Sequence, residues 1–264
     1  MTARDTPGAA STAPSANSAT PGADSATPTG SAGPAPSPAL PVGPRVPVWA
    51  PSASRVGLVV VGQETTQEVD MLASPTHPGW WVAPYDLDDG TRYLLRPDHG
   101  PALPDPRSAL QPEGVDGPSQ VVDTTAWDRT LWTDSGWAGR ELVGSVVYEL
   151  HVGTFTPAGT LDGVIERLPY LAELGVDMVE LMPLAGFPGR AGWGYDGVDL
   201  WAVHEAYGGP QALARLVDAA HAHGLGVCLD VVYNHLGPAG NHLGAFGPYF
   251  TDAHRTPWGQ AVNY

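Results

Sequence analysis

The run GVCLDVVYNH, Gly226 to His235, decides how the rest of the chain is read. Val227, Leu229, Val231 and Val232 give it the apolar density of a buried strand, yet Asp230 interrupts it and an Asn-His pair closes it. An unpaired carboxylate costs roughly several kcal/mol to bury, so Asp230 is expected to have a partner or a task. Upstream, SVVYELHVG from Ser145 and VDMVELMPL from Val176 read as two earlier strands. Between them, TLDGVIERLPYLAELG places Leu161, Val164, Ile165, Leu168 and Leu171 on one helical face, with Thr160 as N-cap and Gly175 as stop. Pro169 falls inside that helix, which is expected to continue with a kink. GPQALARLVDAAHAHG, with Pro210 near its first turn and Gly224 at its end, is the next helix. Strands joined by helices in this way form parallel βαβ units.

Toward the N-terminus the character changes. Val46 to Trp49, Arg55 to Val61, Gly79 to Pro84 and Arg92 to Arg96 are short β-rich runs separated by Gly, Pro, Asp and Ser. That spacing predicts an antiparallel sandwich. Trp49, Trp80 and Trp81 are core residues of such a sandwich or platforms for stacking carbohydrate. Residues 97–137 carry little pattern and read as an irregular connection. Residues 1–43 are almost wholly Ala, Pro, Ser, Thr and Gly, a composition that cannot offset its ordering entropy, so they are expected to be disordered. The domains are therefore 1–43, a tail; 44–140, sandwich and connection; and 141–264, the strand-helix part.

The formal charge of -16, from 28 acidic against 12 basic residues, repels phosphate backbones and argues against a nucleic-acid partner. Every basic residue is Arg. The one cysteine, Cys228, has no internal partner for a disulfide and sits in an apolar run. Neither a signal-peptide core nor a membrane-length apolar run is present, so a cytoplasmic protein with no membrane partner is expected.

In a parallel barrel the reactive groups sit where the strands end. Here those positions hold His151 after the first strand, Trp193, Tyr195 and Asp196 after the second, and Asn234 and His235 after the third. The turn HVGTFTPAGT lacks the G-x-G-x-x-G spacing of a dinucleotide site. DVVYNH resembles the D-x-x-x-N-H segment that ends the third barrel strand in the α-amylase family, glycoside hydrolase family 13, and WGYDG, Trp193 to Gly197, is similar to the segment that precedes it there. Longer runs, VYELHVGTFTPAGT, ELMPLAGFPGRAGWGYDGV and TPWGQAVN, resemble one subfamily, which acts on maltooligosyltrehalose, and so does the VWAP stretch at Val48. The resemblance runs from about residue 45 to the end.

It implies an α/β chain: an N-terminal β-sandwich followed by the first part of a (β/α)8 TIM barrel, truncated after the third strand. It also implies hydrolysis of the α-1,4 bond next to a terminal trehalose, with an α-glucan partner and no cofactor. Tyr195 would lie against the sugar at the cleavage subsite, His235 would bond a sugar hydroxyl, and Asp230 would orient an arginine. Trp193 and Asp196 are further candidates for substrate contact, or loop-packing residues. Asn234 binds calcium in some members, a metal not carried over here, and His151 holds its loop or supports the site. His204, His221 and His223 are expected to be solvated. Retaining hydrolysis needs two carboxyl groups about 5 Å apart. The family places them after the fourth and fifth strands, and Glu180, Asp196, Asp199, Glu205 and Asp252 match neither position, so no catalytic pair is assigned. A branching or debranching enzyme of the same family, or a glucan-binding module, are the alternative readings.

Overall fold

The computed structural model describes residues 46–127, 131–257 and 259–263. The tail expected over 1–43 lies outside them. The described residues form one compact unit, within which two apolar cores can be distinguished.

The first core lies between two antiparallel sheets. One has the order β1 (Pro47–Trp49), β5 (Trp80–Val82), β4 (Leu72–Ala73); the other runs β3 (Thr66–Asp70), β2 (Val56–Val61), β6 (Arg92–Pro97), β7 (Ser119–Gln120). Val48 from the first sheet and Val56, Leu58, Tyr93 and Leu95 from the second belong to one buried cluster. Along β6 burial alternates, with Tyr93, Leu95 and Pro97 inside, the period of two that a half-buried strand requires. β3 carries no apolar alternation, so it is absent from the strands expected above. It is an edge strand whose Glu68 and Asp70 pair with Arg55, and whose Glu68 also meets Arg96 at 3.1 Å. Charge on an edge of this kind discourages further strand pairing.

The three tryptophans are used inward. The Trp81 indole N–H donates to the Ala50 carbonyl at 3.1 Å, Trp49 meets the Tyr249 ring edge-on at 5.2 Å, and the Arg107 guanidinium lies over Trp80 at 5.3 Å.

The second core belongs to a parallel sheet of order β10 (Gly226–Leu229), β9 (Met178–Leu181), β8 (Val147–Leu150). Tyr148, Leu150, Val179, Leu181 and Val227 pack on helices on one face. Strand alternation turns Glu149, Glu180 and Cys228 to the opposite face. The helices are α1 (Val152–Phe155), α2 (Leu161–Ile165), α3 (Leu168–Leu174) and α4 (Gly209–Ala222). Thr160 caps α2 by accepting from the Gly163 N–H at 3.2 Å, and Gly175 ends α3 in the left-handed region.

Two expectations fail here. The kinked helix is two helices: the chain breaks at Glu166–Arg167 and Pro169 falls in the first turn of α3, where its missing N–H has no intrahelical acceptor to serve. The third strand stops at Leu229 instead of reaching His235. Asp230 N–H still donates to the Leu181 carbonyl at 2.9 Å, but the neighbouring chain then reaches Pro183, which has no N–H with which to continue the ladder. A hairpin unforeseen in the sequence, β11 (Phe250–Thr256) with β12 (Gly259–Val262), follows.

The connection over 97–137 is anchored to the helical layer. Thr133 gives its N–H and hydroxyl to Asp218, at 2.6 and 2.9 Å. Asp134 meets His221 Nδ1 at 2.6 Å, and Trp137 stacks on the same ring at 4.3 Å.

Candidate active site

Strand register fixes where the polar residues emerge. Leu150, Leu181 and Leu229 lie side by side across the sheet, so His151, Met182 and Asp230 leave it at one rim. At that rim His151 Nε2 is 2.8 Å from the Gly192 carbonyl and 3.0 Å from the Tyr207 hydroxyl, and Nδ1 is 2.9 Å from Thr154 Oγ1. A carbonyl can only accept, so the neutral ring carries its proton on Nε2 and accepts on Nδ1. His151 therefore holds the near end of the loop that bears Trp193, Tyr195 and Asp196. Tyr207, buried under that loop, was not singled out in the sequence; nothing in EAYGG marks it.

Two glycines let the loops close. A Cβ on Gly194, whose φ is +85°, would lie 2.4 Å from the Pro183 carbonyl oxygen, and one on Gly237 would lie 2.1 Å from that of Asp196. The first closes the loop after β9 on its own start, and the second brings the loops after β9 and β10 together: Gly237 N–H donates to the Gly197 carbonyl at 3.1 Å. His235 Nε2 donates to the Tyr195 carbonyl at 3.0 Å, and the Tyr195 hydroxyl donates to Asp230 Oδ2 at 2.8 Å. Tyr195, Asp230 and His235 thus form one bonded group. Trp193, 70% exposed, and Asp196 and Asn234, also exposed, stand on the same two loops. Asp230 also joins this group to a cavity of about 170 Å³ beside β10, walled by Pro183, Gly194, Trp201, Val231 and Tyr233.

The carboxylate expected to be buried is only half-buried, because Leu229, Val231 and Tyr233 around it are themselves exposed, and its partner is a tyrosine hydroxyl. That bond pushes the Tyr195 hydroxyl up to about 12, helped by desolvation and by the negative charges of Asp230, Glu149 and Glu180. Tyr195 is therefore a neutral donor at any ordinary pH.

Histidines assigned to solvent are also placed otherwise. His204 is buried and stacks on Phe187 at 3.7 Å. Burial, then the Arg190 charge, lower it to about 4 against a smaller opposing pull from Asp196. His221 lies in the Asp134–Trp137 contact described above; His223 is exposed. Among the acids, Asp199 is buried at the base of the Tyr195 loop, where Val198 N–H donates to the Gly186 carbonyl at 2.8 Å, and its Oδ2 has no hydrogen-bond partner. Burial, then the charges of Asp105 and Asp116, push it up to about 8. Asp105, also buried, is pushed up to about 6 although it accepts from Tyr93 and from the Arg107 N–H. Among the described residues no group of three or more His, Cys, Asp or Glu side chains is placed to hold a metal ion, and no helix is long and apolar enough to cross a membrane.

Polar loops gathered at the carboxyl ends of parallel strands are where the active sites of β/α barrels lie. The family model for the alpha amylase catalytic domain matches residues 121–244. The chain is similar to an alpha amylase structure from Salmonella typhimurium, with TM-score 0.76 and 43% identity over 83% of this chain and 36% of that one. Residues 121–244 match the alpha amylase catalytic domain, and the parallel strands and helices between Val147 and Leu229 adopt a partial TIM-barrel-type α/β fold.

The chain is also similar to the malto-oligosyltrehalose trehalohydrolase of Rhizobium sp. (strain M-11), at 51% identity over 83% of this chain. The same named enzyme of Saccharolobus solfataricus is 42% identical over 82%. The chain spans 37% of the length of each of these relatives.

Proposed function

We propose that this chain is the N-terminal part of a malto-oligosyltrehalose trehalohydrolase, which hydrolyses the α-1,4 bond next to the terminal trehalose of maltooligosyltrehalose and releases trehalose through a covalent glycosyl intermediate. The observation that carries the reading is the bonded Tyr195–His235–Asp230 group at the strand-end rim, in a sequence about half identical to enzymes of that name. Tyr195 offers its ring to the apolar side of a pyranose. His235, Trp193 and Asp196 supply the hydroxyl and flanking contacts of an α-glucan, while Asp230, Asn234 and His151 support them. Asp230 has a second oxygen with which to orient an arginine from a fourth strand. The antiparallel sheets constitute an accessory β-sandwich, and the barrel portion breaks off after its third strand. The nucleophile and the acid–base carboxyl group belong to later strands, the intact enzyme works in the cytoplasm, and the chain by itself does not hydrolyse glycosides.

The test uses the polypeptide extended to its relatives' length and incubated with maltooligosyltrehalose. Free trehalose by chromatography is the expected product. New α-1,6 branches in its place would give the reading to a branching enzyme, and binding without turnover to a glucan-binding module. Purified chain 1–264 is expected to show no turnover, and measurable hydrolysis by it would remove the assignment of the carboxyl pair to later strands.

A further inference from the structure

The segment Leu236–Tyr249 has almost no regular structure of its own, only a single 3-10 turn at Leu243–Ala245. An irregular segment is ordered by what it touches, because its own backbone bonds do not offset the entropy of fixing it. At its start, His235 and Gly237 bond the Tyr195 loop through the Tyr195 and Gly197 carbonyls. Midway, Gly240 lies so close under Val115 that a Cβ would come within 2.2 Å of it, and His242 Nε2 is 2.8 Å from Asp116 Oδ1. At its end the segment enters the core of the antiparallel sheets. Phe246, 1% exposed, is a member of that buried cluster alongside Val48, Leu58 and Leu95. Gly247 lies against Pro51, and the Tyr249 hydroxyl donates to the Trp49 carbonyl at 3.0 Å while its ring meets Trp49 at an interplanar angle of 80°.

We infer that Leu236–Tyr249 is a strap through which the N-terminal sheets position His235, with Phe246 and Tyr249 as positioning residues of the candidate cleft. The sheets then act on substrate binding without touching substrate, and Trp49 serves as an anchor in place of a sugar platform. Asn263 extends the anchorage: its N–H donates to the Tyr249 carbonyl at 2.9 Å and its side-chain amide to that of Pro248 at 2.8 Å, so the hairpin base is fixed to the same point. The inference rests on the reading of the Tyr195–His235 group as a sugar-binding site.

The test measures maltotriose binding by calorimetric titration in the polypeptide extended to its relatives' length. Tyr249→Ala is expected to weaken binding about three- to tenfold, a part of the aromatic contact and hydrogen bond it removes being felt at His235, and Tyr249→Phe by less. Val59→Ala is the control: Val59 is buried on β2 but is not a member of the cluster that takes in Phe246, and the substitution is expected to lower Tm with binding unchanged. Amide hydrogen exchange supplies a second readout, with faster exchange at His235 and Gly237 expected in Tyr249→Phe and not in Val59→Ala. That pair of measurements decides the matter if Tyr249→Ala fails to fold.

Wild-type affinity in a folded Tyr249→Ala chain, or equal weakening in Val59→Ala, overturns the strap; so does unchanged exchange in Tyr249→Phe. Tyr195→Ala separates this from the functional reading. Binding lost there but kept in Tyr249→Ala removes the strap alone. Binding unchanged in Tyr195→Ala removes the cleft, and the strap with it.

Discussion

Asp199 sits where ionisation is costly: buried, with one oxygen unpartnered and two other acids contributing to its field. Its carboxyl, pushed up to about 8, keeps its proton in the fold at pH values where an unfolded chain has already released it. The unfolded state then binds fewer protons, and stability falls as pH rises. The contribution is fully present below about pH 4 and is lost as pH climbs through 8. Asp199→Asn removes the titration. The variant is therefore expected to be more stable than wild type at pH 8, by an amount on the order of a few kcal/mol, with the gap shrinking toward pH 4. Urea midpoints of both proteins at several pH values between 4 and 9 measure this, and a gap independent of pH would show that Asp199 is ionised in the fold. His204 acts in the opposite sense at the acid end. Lowered to about 4, its neutral ring contributes stability that fades as pH falls from about 6.5 through 4.

At the scale of elements, the break between α2 and α3 distinguishes two roles for Pro169. In a continuous kinked helix, replacing it with alanine would restore a backbone bond and relieve a clash, a gain of about 3 kcal/mol. In the first turn of a separate helix the missing N–H is no loss, and the fixed φ lowers the entropy of the unfolded chain. Pro169→Ala is therefore expected to change stability by less than about 1 kcal/mol, toward destabilisation. Leu168→Ala, one residue away and fully buried, is expected to cost about 2–5 kcal/mol. Denaturant midpoints for the two variants settle it, and a stabilised Pro169→Ala would favour the continuous helix. The βα alternation, the caps at Thr160 and Gly175 and the rim of polar residues were all legible, because period and punctuation are local properties of sequence. Other features were not, and three of them show why. β3 is held by pairing and surface charge, so TTQEVD shows no apolar period. β10 ends where a neighbouring proline stops its ladder, a cause located on another strand. His204 and His221 are covered by Phe187 and by Asp134 with Trp137, partners distant enough in sequence to leave no local mark.

Across the whole molecule, the two cores are bound by segments that leave one and enter the other. The connection after the sheets is tied to α4 at Asp218 and His221, and the strap after β10 returns Phe246 to the sheet core. A unit linked in both directions is expected to unfold as one, since opening either core exposes apolar surface belonging to the other. Phe246 is the most direct probe, being supplied by the parallel part of the chain and buried in the antiparallel part. Phe246→Ala removes a buried ring, a cost of about 3–5 kcal/mol by cavity formation. If the coupling holds, amide exchange at β2 and β6 followed against urea, which reports on the sheets, and far-UV circular dichroism, which reports mainly on the helices, should shift together to a lower urea midpoint. The measurement belongs in the extended polypeptide. Two separated transitions, with the helical signal unmoved by a substitution in the sheet core, would mean that the cores are independent and that Phe246 merely rests on the sheets.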